Sequence, residues 1–132
     1  MKVYLSHPHS IRSFGRVVQQ RLESVGFDVI NPFDVNPEEE WWAAVREQRN
    51  MLSVAFRIVE NDLELIRDCD AVVVLYPEAH GIGTDMELFY AGVIVGKPVY
   101  VLTAMDHPWL LYCGVCVRSV DELVKVLLRR SR

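Results

Sequence analysis

Three segments hold side chains whose type and spacing could do chemistry: Tyr4, Asn61-Asp62-Leu63, and Gly83-Thr84-Asp85-Met86-Glu87-Leu88. Taken singly, each has a plainer reading. Thr84-x-x-Glu87 is the pattern of a capping box, in which Glu87 would only bond the Thr84 backbone N–H. Asp62, with Glu60 and Glu64 beside it, reads as a solvated charge, and Tyr4 as a core aromatic. Other constellations are weaker. Cys113-Gly-Val-Cys116 spells CxxC, but a structural zinc site would need a second ligand pair and a redox site would open a helix after an early strand. His7, His9, His80 and His107 include no pair at i, i+4, so ordinary loop histidines are the better reading. Gly81-Ile-Gly83 begins like a dinucleotide fingerprint but lacks the third glycine, and there is no GxxxxGK[ST]. A phosphorelay receiver would want acidic residues after the first strand and an Asp ending the third, where this chain has Ser6 and Tyr76. Ser10-Ile11-Arg12, at the start of a helix, could hold an anion through the helix N-terminus, a hydroxyl and a guanidinium. Alternatively Ser10 is an N-cap and Arg12 a surface charge.

The elements that must position these groups follow from periodicity. Lys2 to Ser6 is a short apolar strand, and apolar residues at 11, 14, 17, 18, 22 and 25 then mark a helix closed by Gly26. Phe27 to Ile30 is a second strand, stopped by Asn31-Pro32. Asn36-Pro37 and three glutamates start a helical pattern that runs, with one break, to Arg67. Ala71 to Tyr76 is continuously apolar and β-branched, as a strand buried on both faces should be. After a loop from Pro77 to Gly83, a helix from about Asp85 to Val95 ends at Gly96, and Pro98 to Thr103 is the fourth strand. An irregular stretch from Ala104 to Gly114 precedes a short strand, Val115 to Val117. Ser119-Val-Asp-Glu122 is a capping box opening the last helix. Five strands alternating with helices predict one domain over residues 1–132, an α/β three-layer sandwich with a parallel sheet in the flavodoxin-like order 2-1-3-4-5. Ligands should then sit at the carboxyl ends of the strands, beside Ser6, Phe33, Gly81 and Gly83.

Composition limits the partners. The 132 residues are 51% hydrophobic and 24% charged with a mean hydropathy of +0.12, enough to bury a core. Fourteen Lys and Arg against 18 Asp and Glu leave a net charge of -4, which gives no general attraction to nucleic acid polymers or anionic membranes. No apolar run approaches the ~20 residues of a membrane span. No signal peptide is apparent, and the three cysteines do not suggest a disulfide framework. The expectation is a cytoplasmic protein acting on a small molecule.

In order and spacing, the chain resembles the nucleoside 2-deoxyribosyltransferase family, which includes the 2′-deoxynucleoside 5′-monophosphate N-hydrolases. The matching residues are Val3-Tyr4-Leu5, Asn61-Asp62-Leu63, Cys69-Asp70-Ala71-Val72-Val73-Val74, Gly83 to Gly92 and Gly96-Lys97-Pro98-Val99. The resemblance implies Glu87 as catalytic nucleophile, Tyr4 as the hydroxyl orienting it and Asp62 as the acid contacting the base. It also implies that Ser10, Ile11 and Arg12 correspond to the phosphate loop of the hydrolase branch. The chain departs from the family in three places: two extra residues separate that loop from Tyr4, Gly81 stands six before Glu87 where the family has Asp or Ser, and Trp109 falls near a position that a neighbouring subunit fills with Asn or Ser. Ser6, Phe33, Gly81, Gly83 and Trp109 complete the expected substrate contacts. The implied partners are a nucleoside or nucleotide and a free nucleobase, with no cofactor or metal. A homo-oligomer is implied too, and Trp41-Trp42 could be its apolar contact or simply core. The expected reaction is deoxyribosyl transfer between bases. Monophosphate N-hydrolysis and a nucleotide-binding module without turnover are the alternatives.

Overall fold

Five parallel strands form one sheet in the order β2-β1-β3-β4-β5 in the computed structural model, which describes residues 1–36 and 38–131. They are β1 (Lys2–Ser6), β2 (Asp28–Ile30), β3 (Ala71–Leu75), β4 (Val99–Leu102) and β5 (Val115–Val117). This is the order expected from the alternation of elements. Every residue of β3 is buried, because helices cover both faces of the central strand; hence its unbroken apolar sequence.

Strand alternation sorts the core into two layers. Val3, Leu5, Val73 and Leu75 face Val18 and Leu22 of α1 (Arg12–Ser24) and Leu123 and Leu127 of α7 (Val120–Arg130). Tyr4, Val72, Val74 and Val101 face the other way, against Ile66 of α4 (Met51–Asp68), Leu88 of α5 (Ile82–Phe89) and Leu110 of α6 (Pro108–Cys113). Leu22, Ile66 and Leu127 are fully buried, and truncating any of them to Ala should cost about 2–5 kcal/mol.

Register places the chemistry. Tyr4 lies between Ile30 of β2 and Val72 of β3, and its side chain points to the α4–α5 face. From β2 the chain must pass β1 to reach β3, and it does so through an all-helical arm of α2 (Pro32–Val35), α3 (Glu38–Glu47) and α4. Asn31 caps α2 by accepting the Phe33 N–H at 3.0 Å, with Pro32 in the first turn. The helix start expected at Asn36-Pro37 falls partly on Pro37, outside the described residues; Glu38, Glu39 and Glu40 do occupy the first turn of α3, where the helix dipole favours them. The break in the long helical pattern comes at Gln48 and Asn50, both with positive φ, 53° and 58°.

Four local expectations are corrected. The stretch from Ala104 to Gly114 contains α6, started by Pro108 and by the His107 ring, which accepts the Trp109 N–H at 3.2 Å. Helix α5 begins at Ile82, not Asp85, with Gly81 at its N-cap position. Thr84 is therefore a buried residue inside the helix, and no capping box joins it to Glu87. Likewise Ser10 sits in a 3-10 turn, His9–Ile11, and caps nothing. Past Phe89, α5 widens into a π-helical turn, Tyr90–Ile94, where a Cβ on Gly92 would lie 2.3 Å from the Cys113 carbonyl oxygen. Ser119 caps the last helix as expected, its Oγ accepting the Glu122 N–H at 3.1 Å, but the Glu122 carboxylate accepts the Arg118 N–H at 2.9 Å in place of the Ser119 N–H that a full capping box would use. Among the described residues no helix is long and apolar enough to cross a membrane. Among the described residues no group of three or more His, Cys, Asp or Glu is placed to hold a metal ion, and Cys69, Cys113 and Cys116 are free thiols.

Candidate active site

The sheet order reverses direction between β1 and β3, and the carboxyl ends of these strands open into a crevice, as expected of such folds. Helix α5, which follows β3, lays Glu87 across it. The Tyr4 phenol donates a hydrogen bond to Glu87 Oε2. Glu87 Oε1 lies 4.0 Å from the point where a Cβ on Gly83 would sit, so Gly83 forms part of the wall beside that oxygen. Ser6, two residues beyond Tyr4 on the same face of β1, is wholly buried below the carboxylate. Its buried hydroxyl has no hydrogen-bond partner of good geometry among the described residues, and its nearness favours the charged form of Glu87.

Above Glu87 is a cavity of about 450 Å³. Glu87, Gly83, Thr84 and Gly81 form one side; the helical arm supplies Asp62, Ala55, Ile58 and Val59 from α4 and Trp41 and Trp42 from α3; His7, Pro8, His9, Phe33 and Asn36 close the rest. Apolar walls with a few polar groups are usual for a small-molecule site. Among the described residues three carboxylates, Glu38, Asp62 and Glu87, line it, and no Lys or Arg does.

This environment raises both inner carboxyls. Burial moves Asp62 up to about 6, against the hydrogen bond from Asn36 at 2.7 Å, which favours its charge. Burial moves Glu87 up to about 8; the Tyr4 and Ser6 hydroxyls oppose the shift and the nearby Asp62 charge adds to it. Burial and the Glu87 charge also push the Tyr4 phenol far upward, so it stays a neutral donor. Between about pH 6 and 8 the two carboxyls thus hold one proton between them and titrate as a pair. In that range the proton rests mainly on Glu87 and the charge mainly on Asp62, so a reaction in which Glu87 attacks and Asp62 donates would use the minor form in which the proton has passed from Glu87 to Asp62.

Of the residues singled out from the sequence, Glu87, Asp62, Phe33, Gly81 and Gly83 line this cavity, with Tyr4 and Ser6 beneath it. Ser10, Ile11 and Arg12 do not line it. Arg12 lines a neighbouring cavity with Ser13, Arg16 and Asn31, and its guanidinium donates to His9 Nε2 at 2.7 Å. Trp109 is elsewhere too, exposed at the mouth of a third cavity with Phe89, Tyr76 and His80. Several site residues were not singled out as such. His7 is buried, stacked 4.9 Å from Phe33, and its Nδ1–H donates to the Pro8 carbonyl. A Cβ on Gly15 would lie 2.4 Å from its Nε2. Asn36 bonds Asp62, and His9 meets Glu38 at 2.9 Å at the cavity rim. The signal available for His7 and His9 was only that they follow β1, where ligands are expected.

No protein-family model matches the chain, and no curated protein does. Solved structures do. A 2-deoxyribosyltransferase from Bacillus psychrosaccharolyticus aligns with a TM-score of 0.76 and 20% identity, over 94% of this chain and 90% of that one. The CMP N-glycosidase BcmB of Clostridium botulinum aligns at 0.62 and 14% identity, over 96% and 98%. A response-regulator receiver domain from Francisella aligns at 0.54 and 20% identity, over 99% and 98%. At these identities the likeness is one of architecture, which unrelated chemistries share. This chain has the α/β fold seen in a 2-deoxyribosyltransferase and a CMP N-glycosidase.

Proposed function

We propose that this chain is an N-glycosyl-transferring enzyme of the deoxyribosyltransferase type, cleaving the glycosidic bond of a 2′-deoxynucleoside through a covalent ester on Glu87 and passing the sugar to a second base. The observation that carries this reading is the hydrogen bond from Tyr4 to Glu87 Oε2 at the floor of a cavity that Asp62 also lines. The two structural neighbours named for such chemistry support it. Glu87 Oε1 attacks C1′ and forms a C1′–O bond while the C1′–N bond breaks, its electron pair leaving with the base. Asp62 gives that base a proton. The nitrogen of a second base then attacks C1′, its proton returns to Asp62, and the ester electron pair returns to Glu87, with net retention. Tyr4 holds the carboxylate in place without competing as a nucleophile.

A neutral nucleoside suits the cavity better than a monophosphate. Among the described residues its lining has three carboxylates and no Lys or Arg, while Arg12 is engaged with His9 and Arg16 with Asp34 at 2.9 Å. Monophosphate hydrolysis keeps one supporting observation: the cavity holding Arg12 and Arg16 shares His7, Phe33 and Glu38 with the Glu87 cavity. Trp109 does not line the Glu87 cavity within one chain, so a part for it at that site would come from a second copy. The exposed Ile82, Met86, Trp109 and Tyr112 support such an assembly. The site joins β1, the α2–α4 arm and α5 around a single sheet, which supports residues 1–132 acting as one domain.

The test is chromatography of a panel of deoxynucleosides and their 5′-monophosphates, with and without a second free base, using Glu87→Ala as control. A swapped nucleoside that depends on Glu87 is the expected result. Base released chiefly from monophosphates would replace transfer by hydrolysis, and binding with no base release would leave a binding module.

A further inference from the structure

Asn36 is bonded on both sides. Its Nδ2 donates to Asp62 Oδ1 at 2.7 Å, and its own side-chain oxygen accepts from Asn61 Nδ2 at 3.2 Å. These two bonds fix the direction of the amide, since a carboxylate only accepts and so faces the NH₂ end. The backbone holds Asn36 as well: its N–H donates to the Pro32 carbonyl at 2.9 Å, directly after α2. Asn61 and Asp62 are adjacent in α4, so a loop residue from one end of the arm is tied to two successive positions on the helix at its other end. Among the described residues Asp62 Oδ2 has no protein partner, and it is not sealed from the cavity.

We propose that Asn36, itself held by Asn61, is a positioning residue that occupies one oxygen of Asp62 and thereby leaves Oδ2 as the atom that carries the proton to the departing base. The inference rests on the proposed reaction. An oxygen that accepts an amide N–H is the carbonyl-like oxygen of a carboxylic acid, so the acid hydrogen resides on the other. During departure the Oδ2–H bond breaks, an N–H bond forms on the leaving base, and the O–H electron pair stays on Asp62. Free rotation of the carboxyl would scatter that hydrogen over two oxygens and several directions, and misplacement on the scale of 1 Å lowers rates about 100-fold. The other charged or titratable groups around Asp62 are Tyr4 on β1, Glu87 on α5, Glu38 on α3 and His7 and His9 after β1. None of them donates a hydrogen bond to it, so among the described residues Asn36 alone holds its orientation.

Two readouts test this on the full chain. In Asn36→Ala, kcat should fall about 10- to 100-fold with KM changed far less, and the acid limb of the rate profile, near 6, should move to higher pH because the amide bond no longer favours the Asp62 anion. Adding Asn36→Ala to Asp62→Asn should produce no further loss. Asn61→Ala, which touches only the Asn36 carbonyl side, should act in the same direction and more weakly, and thermal melting identifies any variant that fails to fold. Carboxyl NMR titration of Asp62 in the wild type and Asn36→Ala reads the link without turnover: an upward shift supports the clamp even if the substrate reading is wrong. An unmoved Asp62 midpoint, or equal kcat losses with and without Asp62, would overturn it.

Discussion

Helix α5 has a tyrosine bonded to a carboxylate on each of two faces, and the two pairs sit in different surroundings. On one face Tyr4 donates to Glu87; on the other, two residues earlier in the helix, Tyr76 donates to Asp85 at 2.7 Å. Asp85 also receives His80 Nδ1 at 2.8 Å, and its side chain is 43% exposed. Glu87 has Tyr4 as its one good donor, lies in an apolar cavity and shares it with a second carboxyl, and burial raises it to about 8. A carboxylate with two donors and water has little reason to react. The same group with one donor, a free second oxygen and no cation is poised to share electrons with an electron-poor carbon. Residue types are nearly alike in the two pairs, although Tyr4 and Glu87 are 83 positions apart and Tyr76 and Asp85 only 9, so burial and partner number are what set the carboxylate proposed to react apart from its neighbour.

Exchanging the carboxylates should produce the largest difference. Glu87→Gln should lower base exchange about a thousandfold or more, and Asp85→Asn should leave it within about twofold, as measured by chromatographic initial rates. Comparable losses from both would dissolve the distinction. Asp62→Asn removes the proton donor and should slow departure of the base by about 10²–10⁴-fold, most for bases that leave poorly without protonation.

The phenols make the next comparison. Tyr4→Phe removes a hydrogen bond to a charged, buried oxygen, which is worth about 1.5–3 kcal/mol, so kcat should drop roughly 10- to 100-fold. Tyr76→Phe should leave kcat unchanged, because Asp85 keeps His80. The wild-type rate profile should be bell-shaped with limbs near 6 and 8, since the reaction uses the state with one proton on the pair. A flat profile across that range would remove the shared proton from the mechanism.

The sequence made the sheet legible because strand burial leaves a direct trace: Ala71 to Leu75 has no polar residue, and Gly26 and Gly96 mark helix ends where φ is positive. Glu87, Asp62 and Tyr4 were legible through the spacing of several short segments and not through any one of them. What escaped was chemistry carried by tertiary contact. Asn36 looks like a helix start, and only the folded arm brings it to Asp62, 26 residues away. Gln48 and Asn50 adopt positive φ without a glycine to announce the break. Gly15 gives no sign that the His7 ring lies against it. The anion-loop reading of Ser10 and Arg12 shares this limit, since nothing in the sequence indicates that Arg12 turns to His9 and His9 to Glu38.

The smallest effect is on stability, and it sharpens the same comparison. Glu87 has a folded pKa above its unfolded value, so the native state binds more protons than the unfolded state between those two values. Stability therefore falls as pH rises through that window, from the ordinary carboxylate range to about 8, because ionising the group in the cavity is unfavourable. Glu87→Gln keeps the shape and removes the ionisation. The variant should melt at nearly the wild-type temperature at pH 5 and above it at pH 8.5, by an amount on the order of 2 kcal/mol at the alkaline end. Asp85→Asn lacks that buried charge and should show no such gain with pH. It loses a hydrogen-bonded link to His80 and should be neutral or slightly destabilised at both values. Opposite responses of two carboxylates two residues apart would demonstrate that Glu87 is kept at the expense of stability, as expected of a reactive group. Parallel melting curves would instead mean that Glu87 is as well satisfied in the folded chain as Asp85.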